Sequence, residues 1–543
     1  MSIHAMADSD GAEVLYLKGA PDVLLGKCSH YLAKDGSVQP IDADFMKVYT
    51  ESYEAFGGEG ERVLGFAMRP MAKTIAEEEK TNARFKDILK EGLVGKGAVV
   101  TNDLVFVGLI TLADPARAEV PKAIADCHTA GVKVVMVTGD HPLTAASIAR
   151  KIGLITKPTR EVLAKERGID KALVPEEDIK AVVVHGADIP KMTDQDWATL
   201  VTKDEIVFAR TSPEQKLTIV KEFTKVGHVT AMTGDGVNDS PALKQAAIGI
   251  AMGVGGSDVA KEAADVVLLD DNFASIVVGI KEGRLLFANL KKSVAYTLTH
   301  LAPEVVPVLI WAFAGTPQPV GALLVFCIDL LTELVPATSL AFEKPESNIM
   351  NVPPRNCKTE KLTSMPLLLY AYGIVGFIET GCCYLTYFLI FKSYGVSAKD
   401  LFSMNNEFFP STGDDFVTSD GRIYTVEDQK YILWEVQAAW YIMIVACQAC
   451  HIWVVRTRTV SIFEHGFFDN KQSVAGFVIA LSLGIFVIYT PGLIDIVQSR
   501  YPDSLIILYA SLLAWGTIWG YCEGRKWFSR AYPQHWSNKY LAW

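Results

Sequence analysis

Residues 233–240 read Thr-Gly-Asp-Gly-Val-Asn-Asp-Ser, a string that sets two glycines beside two aspartates and an asparagine. Glycine at the end of a strand lets the backbone approach a phosphate group closely. Asp235 and Asp239 supply hard oxygen ligands of the kind that Mg²⁺ takes alongside phosphate oxygens, and Asn238 can donate a hydrogen bond to a phosphoryl oxygen. A polar turn that merely caps the next helix explains so specific a string poorly. The segment therefore predicts a magnesium and phosphate site.

A second Thr-Gly-Asp tripeptide lies at 138–140. The hydroxyl of Thr138 and the backbone N–H of Gly139 could hold a phosphoryl group at a strand end. Taken alone, the tripeptide also fits an ordinary helix-capping turn, and its repetition at 233–235 favours the phosphoryl interpretation. Lys216 can neutralise charge on the same group, although its spacing fits a solvated lysine as well.

Three carboxylates, Glu304, Asp329 and Glu333, interrupt apolar stretches farther along the chain. Acids inside a membrane are costly, so they usually serve a function. Asp329 and Glu333 are four residues apart and share one helix face. Prolines in the same stretches free three backbone carbonyls, those of Thr299, Pro303 and Thr332. Together these oxygens predict a buried cation site; the alternative is that the prolines only bend the helices and the acids pair with bases elsewhere.

Short β-rich runs alternate with helical patterns ahead of the apolar region. The runs at 133–137, 228–232 and 266–269 are each followed closely by aspartate. This alternation is typical of an α/β fold with a parallel, doubly wound sheet. Because such sheets bind ligands beyond the carboxyl ends of their strands, we expect both Thr-Gly-Asp tripeptides at the ligand-binding edge.

Six apolar stretches near the length of a membrane helix follow, at 294–314, 319–342, 366–391, 433–455, 474–497 and 504–523. Lysine and arginine cluster before the first stretch and after the second, fourth and sixth. This pattern predicts a multi-pass protein of the lipid bilayer with both chain ends in the cytosol. The N-terminus has no apolar signal run. A net charge of −11 without a basic stripe argues against a nucleic-acid partner.

Several of these segments together resemble the P-type ATPases. In the first half they are the strings at 18–22, 136–144, 233–244 and 258–273. The membrane segments at 296–299 (Tyr-Thr-Leu-Thr) and 327–336 resemble the type IIC subfamily. That subfamily contains the catalytic α subunits of sodium/potassium- and proton/potassium-transporting pumps, and this chain is similar to their C-terminal part.

The resemblance implies a domain plan. Residues 1–110 correspond to the remnant of a nucleotide-binding domain. Residues 111–275 correspond to a HAD-like, α/β doubly wound phosphorylation domain that lacks its N-terminal strand, with a hinge at 114–117. A stalk at 276–293, an all-α domain of six transmembrane helices at 294–524 and a cytosolic tail at 525–543 complete the chain.

The resemblance also implies site residues and cofactors, namely ATP and Mg²⁺. The ATP-binding set is Lys18, Gly19, Arg62, Thr138, Gly139, Asp140, Arg210, Lys216 and Asn238. Phosphoryl-site support comes from Thr138, Gly139, Asp140 and Lys216, and the Mg²⁺ ligands are Asp235 and Asp239. The transported-cation set is Thr299, His300, Glu304, Asp329, Glu333 and Gln448.

Two strings of the family do not occur in the sequence. The Asp-Lys-Thr-Gly-Thr motif, whose aspartate is phosphorylated, is absent, and so is the dephosphorylating Thr-Gly-Glu loop. Phosphoryl transfer is mostly positioning around a nucleophile, so this chain alone is expected to be inactive and to belong to a larger pump. The alternative is a truncated, non-catalytic isoform that modulates a complete pump. The missing nucleophile and the intramembrane acids argue against a soluble-type phosphatase with a membrane tail.

The transported ion depends on departures from the family pattern. His300 and Leu301 replace Ser and Asn of the sodium pump, Glu333 replaces Asp, and His451 replaces an Asp linked to its extra sodium site. Two exchange reactions therefore remain open. One is sodium/potassium exchange with fewer sodium ions per cycle, and the other is proton/potassium exchange, so the cargo is Na⁺, K⁺ or H⁺. The string by which animal pumps hold a β subunit is also absent, so a β partner is possible but not required. A plasma-membrane location is expected.

Overall fold

The computed structural model describes residues 2–5, 13–70, 103–113, 115–357, 359–402, 409, 414–541 and 543. The hinge residue Asp114 and the side chain of Arg62 lie outside the described residues. The chain divides into two compact units, Met1–Val278 and Gly279–Trp543. Each unit is built on its own apolar clusters, so each can be understood by itself.

The first unit begins with a six-stranded sheet. Its strands are β1 (Ser2–Ala5), β2 (Glu13–Gly19), β3 (Cys28–Leu32), β4 (Val38–Pro40), β5 (Arg62–Pro70) and β6 (Leu104–Leu112), in the order β1-β2-β5-β6-β3-β4. All neighbours are antiparallel except β3 and β6. Helices α1 (Pro21–Leu25) and α2 (Ala43–Gly58) accompany it. A Cβ added at Gly65 would lie 3.1 Å from Pro21 Cα, so this glycine lets α1 sit directly on β5.

Two three-stranded parallel sheets follow. The first has the order β7-β9-β8, from β7 (Val135–Val137), β8 (Ala181–His185) and β9 (Glu205–Ala209); the second has the order β10-β11-β12, from β10 (Ala231–Gly234), β11 (Ile248–Met252) and β12 (Val266–Leu268). The helices between them are α3 (Val120–Thr129), α4 (Pro142–Lys151), α5 (Arg160–Arg167), α6 (Asp194–Thr202), α7 (Pro213–Val226), α8 (Ser240–Gln245) and α9 (Asp258–Ala263).

Alternation along β9 explains the doubly wound character of the first of these sheets. Val207 and Ala209 pack in a cluster with residues of α3 and α4, whereas Ile206 and Phe208 pack in a second cluster with residues of α6 and α7. Helices therefore cover both faces, as the β-rich runs predicted. The sequence predicted one parallel sheet, whereas the structure has two. Among the described residues, β7 pairs only with β9 and β10 pairs only with β11, so no hydrogen bonds join the two sheets.

The second unit is helical, and among the described residues six helices are long and apolar enough to cross a membrane. They are α10 (Phe273–Ala314), α11 (Ala322–Phe342), α12 (Met365–Ser393), α13 (Val426–Val455), α15 (Lys471–Tyr489) and α17 (Ser504–Ala531). The short helices α14 (Ile462–His465), α16 (Leu493–Ile496) and α18 (Asn538–Leu541) lie between or after them, and β13 (Phe416–Val417) pairs with β14 (Ile423–Tyr424) ahead of α13. Most of α13 is buried, so it forms the centre of this unit.

The helices differ from the predicted spans mainly at their ends. Helix α10 starts 21 residues before residue 294, since the predicted stalk and the first span form one continuous helix. Helix α15 ends at Tyr489 rather than 497, because Pro491 cannot continue it and Gly492 takes a positive φ of 84°. Helix α17 continues to Ala531, past the apolar stretch, because its charged end packs within the unit.

Helices α11 and α12 each contain a wide π-type turn, at Ile328–Glu333 and at Leu369–Val375. Turns of this kind are often found at functional sites. The first one carries both Asp329 and Glu333, and Pro336, which has no N–H to offer the preceding turn, follows it. The local widening changes the direction of these two carboxylates relative to a regular helix.

Candidate functional site

The loop after β7 is fastened to the loop after β9. Thr138 Oγ1 donates to Asp140 Oδ2 at 2.9 Å and accepts from the Asp140 N–H at 3.1 Å. The N–H of Arg210 donates to the Asp140 carbonyl at 2.9 Å, and Thr211 Oγ1 donates to the Thr138 carbonyl at 3.0 Å. Gly139 is exposed with nothing within 4 Å of its missing Cβ. The hydrogen bonds thus fix the tripeptide, and the backbone of Gly139 remains accessible to a ligand.

The loop after β10 is tied to helix α7 by an ion pair. Lys216 Nζ lies 2.7 Å from Asp239 Oδ1, and both side chains are largely buried. Lys216 is in the first turn of α7, which starts with a capping box between Ser212 and Gln215. A Cβ on Gly234 would lie 2.5 Å from Asp239 Cβ, so glycine is required there. The strand end, the aspartate and the lysine are therefore packed as one arrangement.

The remaining predicted ligands of this loop point outward. Asp235 and Asn238 are exposed, and the Asp235 backbone carbonyl accepts a hydrogen bond from Ser257 N–H at 2.8 Å. An exposed carboxylate beside a buried, lysine-paired one is a donor set that fits Mg²⁺, which retains water and takes few protein carboxylates. Within the described residues, no hydrogen bond links 138–140 directly to 233–239; the connection runs through 210–216.

Asp271 is a structural residue that the sequence patterns did not single out. Its carboxylate accepts the backbone N–H groups of Gly253, Val254 and Gly255 at 2.6, 3.0 and 2.6 Å. These hydrogen bonds, that of Gly255 foremost, lower the pKa of Asp271. Its backbone has a positive φ of 50°, which is unusual for a residue with a side chain. The carboxylate fixes the loop that follows β11.

The predicted nucleotide residues are divided between two parts of the first unit. Lys18 and Gly19 end β2, and Lys18 is exposed. Arg210 lies after β9, and its Nη2 contacts both carboxylate oxygens of Asp22 at 3.1 and 3.2 Å. Asp22 lies in the first turn of α1, so this ion pair links the six-stranded sheet to the β7-β9-β8 sheet. A partner for Arg210 inside the protein was not part of the sequence prediction.

The predicted membrane carboxylates converge around His300. His300 Nε2 lies 3.1 Å from Asp329 Oδ1, and His300 Nδ1 lies 3.9 Å from Glu333 Oε2. One ligand atom from each of His300, Glu304 and Asp329 lies within 4.8 Å of the others. His300, Glu304 and Glu333 are buried, whereas the Asp329 side chain is 48% exposed. The site is therefore formed by one face of α10 and the wide turn of α11.

The expectation about freed carbonyls is only partly met. Pro307 frees the carbonyl of Pro303, but Trp440 Nε1 on α13 donates to that oxygen at 3.0 Å. This carbonyl therefore stabilises packing between helices and is already occupied by a donor. The hydroxyl of Thr299 donates to the Ala295 carbonyl at 2.6 Å, within its own helix. Thr299 thus offers only its remaining acceptor capacity to a cation.

Gln448 lies in a separate contact with an acid that the sequence analysis did not name. Its Nε2 donates to Glu379 Oε2 at 3.0 Å, and both side chains are buried. Glu379 stands inside the predicted span 366–391, and a carboxylate in such a stretch was a signal that could have found it. His451 faces other helices, with its Nε2 2.9 Å from Tyr370 Oη.

A further buried network lies just after α11. The Glu343 carboxylate contacts Arg456 Nε at 2.6 Å, Asn470 Nδ2 at 2.9 Å and His465 Nε2 at 3.0 Å. Burial by itself would raise the pKa of Glu343, but the hydrogen bonds from His465, Arg456 and Asn470 lower this pKa to about 2. Glu343 is more than a hundred residues away in sequence from its three partners, so local patterns gave no signal for the network.

Two family models match separate parts of the chain. Residues 1–119 match the model described as "P-type ATPase, cytoplasmic domain N", and residues 317–528 match "Cation transporting ATPase, C-terminus". With the fold and the buried carboxylates above, these matches define the class of protein. The chain belongs to the P-type cation-transporting ATPase family.

Relatives narrow the comparison within that family. The chain is 41% identical over 542 residues to sodium/potassium-transporting ATPase subunit alpha-4 of Rattus norvegicus, covering 99% of this chain and 51% of the relative. It is also 41% identical to the alpha-2 subunits of Homo sapiens and Gallus gallus, covering 99% of this chain and 52% of each relative. The similarity is thus to type IIC α subunits, and the chain spans about half the length of the curated relatives it matches.

Proposed function

We propose that this chain belongs to a pump that couples ATP hydrolysis to exchange of Na⁺ for K⁺ across the membrane. The observation that carries the proposal is a group of four side chains inside membrane-length helices: the buried His300, Glu304 and Glu333, and the half-exposed Asp329. The names of its 41%-identical relatives, sodium/potassium-transporting ATPase subunits, support the choice of ions. Glu304, Asp329 and Glu333 would bind the cargo, with Thr299 and Gln448 as further oxygen ligands.

We infer that residues 111–275 form a HAD-like phosphorylation domain and 1–110 part of a nucleotide-binding domain. Thr138, Gly139 and Asp140 would orient the phosphoryl group, and Lys216 would offset its charge. Asp235 and Asp239 would hold Mg²⁺, which neutralises phosphate charge when bound. In this proposal Arg210 exchanges Asp22 for a phosphate oxygen of ATP, since a guanidinium binds either anion. Lys18, Gly19, Arg62 and Asn238 complete the nucleotide site.

The decisive experiment joins this chain to a pump half that carries the phosphorylated aspartate. The chain would be fused to the N-terminal half of the human alpha-2 relative, and phosphoenzyme from radioactive ATP and rubidium uptake would be measured. We expect Na⁺-stimulated phosphoenzyme that K⁺ discharges. Glu304→Gln should abolish both cation responses, while Glu427→Gln, at an exposed carboxylate outside the group, should leave them unchanged. Equal cation responses in both variants would refute the proposal.

Proton/potassium exchange is the second candidate, and His300 favours it because imidazole can carry a proton near neutral pH. The same fusion distinguishes the two. Phosphorylation that needs Na⁺ at neutral pH and is lost with Gln448→Ala supports sodium transport; phosphorylation that rises with acidity and ignores Na⁺ supports proton transport.

A non-catalytic modulatory role is the alternative for the chain alone, favoured by the missing Asp-Lys-Thr-Gly-Thr string. Co-expression of the unfused chain with the complete human alpha-2 relative tests it. A change in the relative's rubidium uptake would support modulation, and an unchanged uptake would count against it.

A further inference from the structure

We propose that His300, Glu304 and Asp329 form a binding site for a divalent transition-metal ion such as Zn²⁺. The proposed metal site uses residues of the proposed cation path, and it rests on the proposed function only in sharing these residues. The ligand set contains one imidazole nitrogen and two carboxylates, and imidazole suits Zn²⁺, Co²⁺ and Ni²⁺ rather than alkali ions. Three protein ligands with an open position are typical of reactive zinc sites.

The distances suit a compact metal centre. The three ligand atoms lie within 4.8 Å of one another, and His300 Nε2 is already 3.1 Å from Asp329 Oδ1. Zinc bonds of about 2 Å place tetrahedral ligand atoms about 3.3 Å apart. The His300–Asp329 pair already has this spacing, and the Glu304 carboxylate would move toward that pair when the metal binds. His300 and Glu304 are 1% and 6% exposed, so two of the three ligands are held by packing. The half-exposed Asp329 leaves one side of the group accessible.

The second nitrogen of His300 points to the same conclusion. A histidine that binds a metal usually donates its other ring N–H to a carboxylate, which orients the ring. His300 Nδ1 faces Glu333 Oε2 at 3.9 Å. Within the described residues, neither atom has a hydrogen-bond partner, and neither does Glu304 Oε1. Nε2 would therefore bind the metal and Nδ1–H would turn toward Glu333.

Charge also favours a divalent ion. Three carboxylates surround one histidine, and no lysine or arginine is paired with any of them among the described residues. A divalent ion offsets two negative charges in a setting where unpaired charges are costly. A single protonated imidazole offsets one. This second arrangement, a histidine cation bridging Asp329 and Glu333, is the competing explanation, and it predicts no metal binding.

The test uses the purified full chain in detergent, with Zn²⁺ and Co²⁺ as probes in equilibrium dialysis and Co²⁺ absorption as a report of nitrogen ligation. We expect one ion per chain, lost in His300→Ser, and an affinity lowered about 10- to 100-fold in Glu333→Gln, as for other second-sphere partners. His451→Asn is the matched control, a buried histidine that contacts Tyr370 rather than carboxylates, and should bind normally. Tryptophan fluorescence during thermal unfolding checks that each variant is folded.

The outcomes separate this proposal from the pump. The metal site is overturned if Zn²⁺ binds equally to His300→Ser and the parent chain, or if it does not bind stoichiometrically. Either result leaves the proposal of alkali-cation exchange unaffected. Binding that depends on His300 and is displaced by K⁺ supports both proposals. Binding that depends on His300 but is unaffected by K⁺ supports the metal site and counts against the site as the path of K⁺.

Discussion

The types of the functional residues could be predicted from the sequence, but their contact partners could not. The residue types at 138–140, 233–240 and 304–333 predicted oxygen-rich sites, because carboxylates and glycines at strand ends or inside apolar stretches are unusual. The partners could not be predicted in the same way. Trp440 reaches the carbonyl of Pro303, and Asp22 reaches Arg210, across more than a hundred residues of sequence. Such contacts depend on packing, which has no local period.

Glu343 gives a prediction at this scale. Its carboxylate is buried against Arg456, so Glu343→Gln leaves a buried charge without its partner and should destabilise the second unit by about 3 kcal/mol. Thermal unfolding followed by tryptophan fluorescence measures the loss. Glu464→Gln, at an exposed acid 3.6 Å from Arg530, is the control and should shift the midpoint little.

The same residue sets a pH dependence. Its folded pKa of about 2 lies below the ordinary value of about 4.3. The stabilisation is therefore fully present above about pH 5 and disappears as the pH falls from there toward 2. The unfolding midpoint of the parent chain should drop more steeply over this range than that of Glu343→Gln. Parallel curves would show that another group controls the acid sensitivity.

The membrane-length helices were predicted in number, but their ends and internal irregularities were not, and the six-stranded sheet was not predicted at all. Six apolar stretches correspond to six helices, because length and hydropathy are local properties. The start of α10 at Phe273 and the π-type turn at Ile328–Glu333 were missed. The start of α10 was missed because its first part, the charged stalk before residue 294, gives no apolar signal. The π-type turn was missed because it depends on how α11 packs against its neighbours. The division of the parallel strands into two sheets also depends on pairing across the sequence.

The crossing of α10 and α12 yields a prediction at the element scale. A Cβ on Gly376 would lie 2.7 Å from Ala302 Cβ and 3.1 Å from the Thr299 carbonyl, next to the cation group. Gly376→Val should push the helices apart, lower the unfolding midpoint and weaken Zn²⁺ or K⁺ binding. Gly381→Val on the same helix has open space and the same change in helix propensity, so it should do neither. Equal effects in both variants would exclude the packing explanation.

At the scale of the whole molecule, the chain unites a mixed α/β unit with a helical membrane unit. The two predicted phosphate loops and the cation group both depend on irregular backbone, a glycine-rich strand end in one unit and a wide helical turn in the other. In each, a carboxylate lies beside a side-chain nitrogen: Asp239 beside Lys216 in the first unit and Asp329 beside His300 in the second. In the pump proposed above, the first arrangement would offset phosphate charge and the second would bind the cargo.

The orientation of the membrane unit is the last prediction. The distribution of basic residues predicts that both chain ends and the segment between α11 and α12 lie in the cytosol, and that the segment between α12 and α13 lies outside. Cys357 lies in the former and is the exposed one among the free cysteines that the structure describes. An impermeant maleimide should label it only after cells are permeabilised, and Cys357→Ser should lose that increment. In a Cys357→Ser background, Asp420→Cys, exposed in the outer segment, should be labelled in intact cells. Labelling of Cys357 in intact cells would mean that the unit crosses the membrane in the opposite direction.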